Sequence, residues 1–547
     1  MYPIRTDWVW IRGRPLRSPF GGPKVGGVEG VEGERTRREG EEEGTLRRAL
    51  VLALLVGGAA RLFLAFARPV WADEVFTLTL ARRPLADLLA SLRLDSGPPL
   101  HYLAAKLLLL PFPAPGAADV LVRLLSVAAS LLHVPLLSRV GRRRGAPRAG
   151  LVAAALFLVF PLAVSSGAEG RGYALTSLLV LASFERLLAL EETPRPRTAL
   201  VAGLLGGAAV LTHYLAILPV AGLLVSGWAR SRARRLVVLA GAIAAATAAA
   251  WLPVALGQPR DSMVWSEARP LAERALQSAA NLGLGLPVEP GPARYAGPLA
   301  VVVLGLAIVG GLRARVPAAA ALLLGVLGLV PLLMFSRSAL LPDRTALVFL
   351  PLVALVLAQA RWSEVAIASS AASVVVLALS LPGWVRPTPA AELAAALAPK
   401  VRGGARVVAA ELWGPELEYR LGREGLAGRV TLFPSDVALH PGWYSDAVPS
   451  GERLRAEAKE AVNGAAGGPV LYVLSPATRA GRALLATLGQ VEARRIAAAG
   501  VFEIWLGPAA SPRAVDTSAG ETGAGRAAPL PRGKPPFSEP APSAGNR

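Results

Sequence analysis

The acidic residues Asp73 and Glu74 are neighbours in the sequence. They come shortly after Trp71, just beyond the first long apolar run. Tryptophan is enriched where membrane meets water, so the acidic pair is expected at interfacial depth. A carboxylate held there can serve as a general base, or hold a cation beside a lipid headgroup. An ordinary solvated acidic pair is the alternative that the residues alone leave open.

Two further segments carry polar side chains at the ends of apolar runs. Prolines fix a turn that leads into His101 and Tyr102, which either face a headgroup or mark a boundary between polar and apolar surroundings. Glu169 and Arg171 are bracketed by glycines in a short connection that leads into Tyr173. Binding of a substrate and a harmless helix boundary are both open interpretations of this connection.

Two later turns complete the set of candidates. His213 and Tyr214 separate two apolar segments with almost no loop between them, and His213 either binds a ligand or only caps a helix. Arg344 stands at the top of a later apolar segment, close behind Arg337 and Asp343. None of these residues is strong evidence for a site by itself.

The composition of the whole chain restricts what these residues can be part of. Of 547 residues, 53% are apolar and 18% are charged, whereas a soluble domain has about 25% charged residues. A soluble globular protein is therefore excluded. The formal charge of +20 sits in short basic runs between apolar segments, which is typical of cytoplasmic membrane loops and argues against nucleic-acid binding. Absence of cysteine excludes disulfides and thiolate chemistry.

Apolar runs predict about eleven transmembrane helices, and the arginine distribution orients them. Arginines concentrate in alternate short connections, which places those connections and the start of the chain in the cytoplasm. This pattern holds only if the short run 98–112, which contains Lys106, lies along the membrane surface instead of crossing it. The predicted spans are 47–66, 119–140, 149–166, 173–190, 198–213, 215–228, 236–253, 295–312, 317–335, 345–360 and 365–383.

The chain is thus predicted to be an all-α polytopic membrane protein with a small external C-terminal α/β domain. The first span acts as an uncleaved anchor in an inner or plasma membrane, with the N-terminus cytoplasmic. A first external loop, 67–118, carries one or two helices flat on the membrane. The predicted domains are a flexible leader 1–46, a membrane domain 47–385, an external domain 386–510 and a disordered tail 511–547.

The external domain is predicted from a change in composition, and its catalytic content looks low. Its segments show strand-like and helical periodicity in turn. The strand-like runs are ARVVAAEL, RVTLFP, PVLYVLS and VFEIWLG, and the helical runs are PELEYRLGREG and ATRAGRALLATLG.

This topology brings every candidate residue to one side of the membrane. Acids, arginines and a histidine at one depth, drawn from helix ends that lie far apart in sequence, describe a polar cavity that opens outward beside lipid. The cytoplasmic side has no comparable group in the sequence, because its connections are short and simply basic.

The order of the motifs resembles a known superfamily. A WADE stretch, a D-x-x-PPL-x-Y segment, an E-x-R-x-Y turn, a T-HY turn and a late R-x-x-x-F-x-P helix are similar to the GT-C superfamily of integral-membrane glycosyltransferases. Within it, the resemblance is to bacterial relatives of protein O-mannosyltransferases and of the lipid A aminoarabinose transferase, over residues 47–385. Relatives usually have histidine before the two prolines, where this chain has Gly97, and here a histidine appears at His101 instead.

The resemblance implies transfer of one sugar from a polyprenyl-phosphate donor to a hydroxyl of a glycan, lipid or protein acceptor on the external side. Asp73 is then the base of an inverting displacement, Glu169 orients the acceptor, and Glu74 assists Asp73 or stabilises its loop. Asp73 and Glu169 could also hold Mg²⁺ or Mn²⁺, which is optional. Substrate binding falls to Arg171, Tyr173, His101, Tyr102, His213, Tyr214 and Arg344, of which Arg171, Arg344 and His213 would stabilise the departing phosphate.

Two other classes of protein compete with this interpretation. A transporter or flippase of lipid-linked or polar substrates needs ionisable groups near the middle of the membrane, whereas the charges in this sequence stand at helix ends. A structural or assembly subunit, with the outer domain as its binding module, leaves the cluster around Asp73 and Glu169 without a purpose.

Overall fold

The structure is a computed structural model, and it divides into two compact units, Met1–Arg48 and Ala49–Arg547. In the first unit, the segment expected to be flexible is helical from Val28 onward and carries exposed ion pairs four residues apart, such as Arg37 with Glu41 at 2.9 Å. The predicted tail 511–547 lies outside the described residues. The described residues are 28–112, 117–259, 270–284, 290–335, 344–358, 363–411, 413–438, 440, 451–463, 468–476, 478–499 and 502–507.

Helices make up the described part of the chain as far as Trp384. Their bounds are α1 Val28–Ala67, α2 Ala72–Arg82, α3 Leu85–Arg93, α4 Leu100–Leu109, α5 Ala118–Leu131, α6 His133–Arg143, α7 Pro147–Val159, α8 Pro161–Gly167, α9 Tyr173–Glu192, α10 Pro196–Thr212, α11 Ile217–Arg230, α12 Arg234–Ala249, α13 Leu252–Gly257, α14 Leu271–Leu284, α15 Pro290–Arg313, α16 Pro317–Phe335, α17 Arg344–Leu347, α18 Leu350–Leu357 and α19 Ser363–Trp384.

Within the described residues, each predicted span falls on one of these helices or on two consecutive ones, and the end of the span 345–360 lies outside them. By length and apolar character, five helical stretches of the described residues suffice to cross a membrane, or six if the bent pair α7 and α8 is one span. The predicted fold class is confirmed, while the number of spans stays a prediction. The five are Glu41–Ala67, Ala118–Arg143, Tyr173–Glu192, Ala296–Arg313 and Ser369–Arg402.

Within its described residues, the loop 67–118 that was predicted to be external contains three helices, α2, α3 and α4, where the sequence predicted one or two. Prolines stand at the boundaries between them: Pro84 directly precedes α3, Pro99 directly precedes α4, and neither residue can continue a preceding helix. Helix α4 has 10 residues, so it is about 15 Å long and too short for about 30 Å of hydrocarbon. This length supports the prediction that 98–112 does not cross the membrane.

Helices α7 and α8 meet at a bend of 63°. Arg61, a buried arginine, donates hydrogen bonds to the backbone at this bend. Pro161 has no N–H group, so carbonyls at the end of α7 lose their helical donors. The guanidinium of Arg61, fully buried in α1, donates to the carbonyls of Leu158 at 2.6 Å and Phe157 at 3.4 Å, and to Ser130 Oγ at 2.8 Å. A charge inside an apolar helix is thus held by the backbone that the proline exposes.

Glycines leave the space that this guanidinium occupies. A Cβ atom on Gly57 would lie 2.2 Å from the carbonyl oxygen of Leu158, and one on Gly167 would lie 2.9 Å from Nε of Arg61. Because real Cβ atoms do not approach this closely, any larger residue at either position would push the helices apart.

The C-terminal region forms a five-stranded sheet with helices on both faces. Strand order is β2-β1-β3-β5-β4; β1 pairs in parallel with β2 and β3, and β5 pairs antiparallel with β3 and β4. In register, Val407 of β1 lies opposite Val430 and Leu471. The bounds are α20 Pro389–Arg402, β1 Arg406–Ala410, α21 Trp413–Arg423, β2 Val430–Phe433, α22 Gly451–Asn463, β3 Val470–Leu474, α23 Arg479–Leu488, β4 Arg494–Ala499 and β5 Phe502–Leu506.

Candidate active site

Helix α2 begins one residue after Trp71 and places both acidic residues in its first turn. Negative charge is favourable there because the backbone N–H groups of a helix start are unpaired. Neighbouring positions on a helix point about 100° apart, so Asp73 and Glu74 face different surroundings. Both side chains are buried, at 3% and 2% exposure.

The Glu74 carboxylate connects neighbouring elements of the site through hydrogen bonds. Its carboxylate accepts two hydrogen bonds from Arg123, from Nε at 2.7 Å and from Nη2 at 2.6 Å. It also accepts the backbone N–H of Gly170 at 2.7 Å. A Cβ atom at residue 170 would lie 3.3 Å from Oε1 of Glu74, so glycine allows this close approach. These contacts favour loop stabilisation over chemistry as the role of Glu74.

Arg123 links three elements at this end of the protein. Beyond Glu74, its Nη1 donates to the carbonyls of Arg68 at 2.7 Å and Ala65 at 3.2 Å, at the end of α1. The residue is 1% exposed. Arg123 was not among the sequence candidates, although a charge inside a predicted span was the signal that could have identified it.

Asp73 contacts the guanidinium of Arg171 in a looser arrangement. Its Oδ2 lies 3.9 Å from Nε of Arg171. The Nη1 group of the same arginine donates to Thr77 Oγ1 at 3.2 Å, to the Tyr102 hydroxyl at 3.2 Å and to the Asp73 carbonyl at 3.3 Å. Within the described residues, Nη2 of Arg171 has no hydrogen-bond acceptor. The guanidinium of Arg171 therefore connects the turn 168–172 to α2 and α4.

His101 is buried in α4 and is neutral at pH 7. Burial, followed by the positive charge of Arg171, lowers the pKa of His101 to about 4. Nε2 lies 3.2 Å from the Gly170 carbonyl, which can only accept, so Nε2 carries the proton. Nδ1 is then an acceptor, and it has no hydrogen-bond partner among the residues the structure describes.

Glu169 lies in the same turn as Gly170 and Arg171. Its side chain is 7% exposed and interacts electrostatically with Arg123. The turn folds back on itself, with the N–H of Arg171 donating to the Glu169 carbonyl at 2.7 Å. The connection 168–172 thus lies against α2, α4 and α5, and does not simply end a helix.

A contact from the C-terminal domain was missed by the sequence reasoning. His440 Nε2 lies 3.6 Å from Oδ1 of Asp95, and the His440 ring packs 4.9 Å from Phe76. Asp95 accepts the Tyr102 hydroxyl at 3.4 Å. Burial raises the pKa of Asp95, but His440 and Arg171 lower it by more, so the pKa lies below its ordinary value. No sequence signal ties residue 440 to this loop.

His213 acts as a cap in the structure. Its Nδ1 accepts the N–H of Leu215 at 3.3 Å, at the start of a short 3-10 helix, Tyr214–Ala216. Its ring lies 5.6 Å from the ring of Tyr173, which starts α9. Of the two roles considered for His213, capping is the one with a visible contact.

Tyr214 reaches the loop 95–102 through Gln258. Its hydroxyl donates to Oε1 of Gln258 at 2.8 Å and accepts from Nε1 of Trp251 at 3.0 Å. Nε2 of Gln258 donates to the carbonyls of Leu92 at 2.7 Å and Gly97 at 2.9 Å. The backbone carbonyl of Gly97 is therefore held in place by Gln258.

The last predicted turn is described only in part. Helix α17 begins at Arg344, but the position of its side chain is outside the description, as are Arg337 and Asp343. The role of Arg344 stays a prediction.

Binding of a metal ion by Asp73 and Glu169 also stays a prediction. Among the described residues, no group of three or more Asp, Glu or His side chains is arranged to hold an ion. Glu74 is saturated by Arg123, and Asp73 faces Arg171. Ligation of an ion by Asp73 and Glu169 finds no third side-chain ligand in the described part of the chain.

Comparison with known proteins supports the superfamily that the motifs suggested. Residues 96–253 match the family model described as dolichyl-phosphate-mannose-protein mannosyltransferase. The structure is similar to ArnT from Cupriavidus metallidurans bound to undecaprenyl phosphate, with a TM-score of 0.51 and 16% identity over 85% of this chain and 98% of that one.

Archaeal oligosaccharyltransferase AglB from Archaeoglobus fulgidus, in complex with an inhibitory peptide and a dolichol-phosphate, matches with a TM-score of 0.49 and 10% identity. That match covers 79% of this chain and 69% of AglB. No curated protein sequence matches the chain. The protein has the GT-C fold, which confirms the resemblance inferred from its motifs.

Proposed function

We propose that this protein is a glycosyltransferase that moves one sugar from a polyprenyl-phosphate donor to an acceptor hydroxyl on the external face of the membrane. Support comes from the GT-C fold and from the match of residues 96–253 to a mannosyltransferase family. The lipid tail of such a donor keeps its phosphate at the membrane surface, and the cluster around Asp73 lies at the ends of apolar helices.

The placement of the two acidic neighbours carries the proposal. The Glu74 carboxylate is held by three short hydrogen bonds from Arg123 and Gly170, which fits a structural role. Asp73 is 3% exposed in the same turn of α2, and its Oδ2 lies 3.9 Å from Nε of Arg171, so a carboxylate and a fixed cation lie side by side. A carboxylate in such a position can act as a general base, and we assign that role to Asp73.

The reaction is an inverting displacement at the anomeric carbon. Asp73 takes the proton of the acceptor hydroxyl as that oxygen bonds to the carbon. The bond from the carbon to the phosphate oxygen breaks, and its electron pair stays with the lipid phosphate. Glu169 orients the acceptor from the turn that also carries Arg171.

The departing phosphate develops negative charge, and fixed positive charge next to it speeds its departure. Arg171 supplies this charge, since Nη1 and Nε hold the guanidinium in place while Nη2 points to no acceptor among the described residues. Arg344 contributes from the late turn. His213 acts mainly through the 3-10 helix that it caps.

The test is transfer of radiolabelled sugar from a polyprenyl-phosphate donor by the purified full-length protein. Asp73→Asn should lower the rate by about 100-fold to 10,000-fold, as expected when a general base is removed. Asp87→Asn is the matched control, because Asp87 is an exposed aspartate of the same loop. Equal rates for wild type and Asp73→Asn would contradict the proposed base. Movement of intact donor across vesicles without sugar transfer would indicate a transporter or flippase.

A further inference from the structure

The structure contains a large cavity at the end of the helices opposite to the candidate active site. Arg123 marks the active-site end of the continuous stretch α5 and α6, and Val140 in the cavity wall lies about 25 Å further along that stretch at 1.5 Å per residue. The cavity measures about 1000 Å³, at the upper end of the range of about 300–1000 Å³ for ligand pockets.

The walls of the cavity are apolar and lie between helices. Aliphatic and aromatic side chains from α6, α9, α15 and α18 form them, including Val140, Phe184, Leu306, Val309 and Leu355. An interior of this kind suits hydrocarbon and not a polar metabolite.

Two arginines stand in the cavity lining, and neither is neutralised. Arg144 follows α6 and Arg313 ends α15, and both are exposed. Among the described residues, neither guanidinium has an ion-pair or hydrogen-bond partner. None of the described residues that line the cavity is acidic.

Acidic residues near this end are already paired with other arginines. Glu185 accepts Arg143 at 2.7 Å and also pairs with Arg186. Glu191 accepts Arg230 at 2.8 Å. Positive charge at the cavity is therefore left over after the neighbouring acids are satisfied.

We propose that this cavity binds one anionic phospholipid, with its acyl chains between the helices and its phosphate at Arg144 and Arg313. Basic pockets between transmembrane helices on the cytoplasmic side favour anionic headgroups, because cations there attract the phosphate and the apolar walls take the chains. A zwitterionic lipid carries a positive group into the same unneutralised field and binds less well. This site is independent of the proposed transferase reaction.

The test is native mass spectrometry of the full-length protein in detergent, titrated with dioleoyl phosphatidylglycerol or dioleoyl phosphatidylcholine. Wild type should retain one phosphatidylglycerol at least ten-fold more tightly than phosphatidylcholine. The double variant Arg144→Gln and Arg313→Gln should lose this preference. The double variant Arg195→Gln and Arg197→Gln, which removes two exposed arginines outside the cavity, should keep it.

A second variant separates the cavity from general charge. Ala314→Trp adds bulk to an exposed position of the cavity lining and removes no charge, so it should also release the lipid. Three results would overturn the proposal: no selective retention by wild type, equal loss in both arginine double variants, or retention by Ala314→Trp. Displacement of phosphatidylglycerol by equimolar undecaprenyl phosphate or inorganic phosphate would assign the cavity to another anion and overturn it as well.

Discussion

The two ends of the helical bundle differ in how their charged side chains are buried and paired. Around Asp73, carboxylates and guanidiniums are buried and bonded to one another and to the backbone, as in the pair of Glu74 and Arg123. Around the cavity, arginines are exposed, and Arg144 and Arg313 have no partner among the described residues. Buried charges fix geometry because each must keep its partner, whereas exposed ones remain able to bind a ligand.

The largest effect on stability is expected from the buried pair. Arg123→Ala should destabilise the protein by about 3–5 kcal/mol, because it leaves the Glu74 carboxylate buried without its partner. Thermal unfolding in detergent measures the loss. Arg230→Ala, which breaks the partly exposed pair with Glu191 at the other end, should cost about 1 kcal/mol or less. Similar losses for the two variants would remove the distinction between the two ends.

A smaller effect, dependent on pH, is expected from His101. Its pKa is about 4 in the folded protein against 6.5 for the free side chain, so between these values the unfolded chain binds a proton that the folded one does not. Stability contributed by neutral His101 is therefore complete above about pH 6.5 and falls as the pH drops toward 4, by about 3 kcal/mol in all.

His101→Gln tests this dependence, since glutamine keeps an N–H donor for the Gly170 carbonyl and does not titrate in this range. The difference in unfolding temperature between wild type and variant should shrink or reverse as the pH falls from 7.5 to 5. A difference that stays constant with pH would show that His101 is not buried in its neutral form.

The smallest effect is expected where the C-terminal domain meets the start of α5. Arg423 of α21 pairs with Asp119 at 2.8 Å, but 44% of the arginine side chain is exposed. Arg423→Ala should therefore cost less than about 1 kcal/mol. Arg402→Ala is the control, because its exposed pair with Glu424 lies within the domain. A loss near that of Arg123→Ala would mean that this docking contact is as strong as the buried pair.

The positions of the long apolar runs predicted both the helices and the segments of the candidate site. Long apolar runs fix helix positions, and polar residues at their ends stand out against that background. The prediction that 98–112 does not cross the membrane brought Asp73, His101 and Arg171 to one place, and the structure joins them through Tyr102 and Gly170.

Contacts between residues that lie far apart in the sequence could not be predicted. Nothing in the composition shows that Glu74 pairs with Arg123, 49 positions away, and not with the nearer basic residues. His440 reaches Asp95 only because the C-terminal domain docks on the loop, which no local pattern encodes. Strand β4 was missed because its RRIAAA sequence is short and polar at its start, as suits the edge of a sheet.

The break at Pro161 has a consequence for engineering the first membrane helix. Replacing Arg61 by leucine would make α1 more hydrophobic and, by any scale of insertion into lipid, a better anchor. It would also remove the donors that the carbonyls of Leu158 and Phe157 receive. Those peptide oxygens would then be buried without a partner, which costs about 1–3 kcal/mol for each group. The more hydrophobic helix α1 would therefore make this protein less stable, unless Pro161 were replaced at the same time.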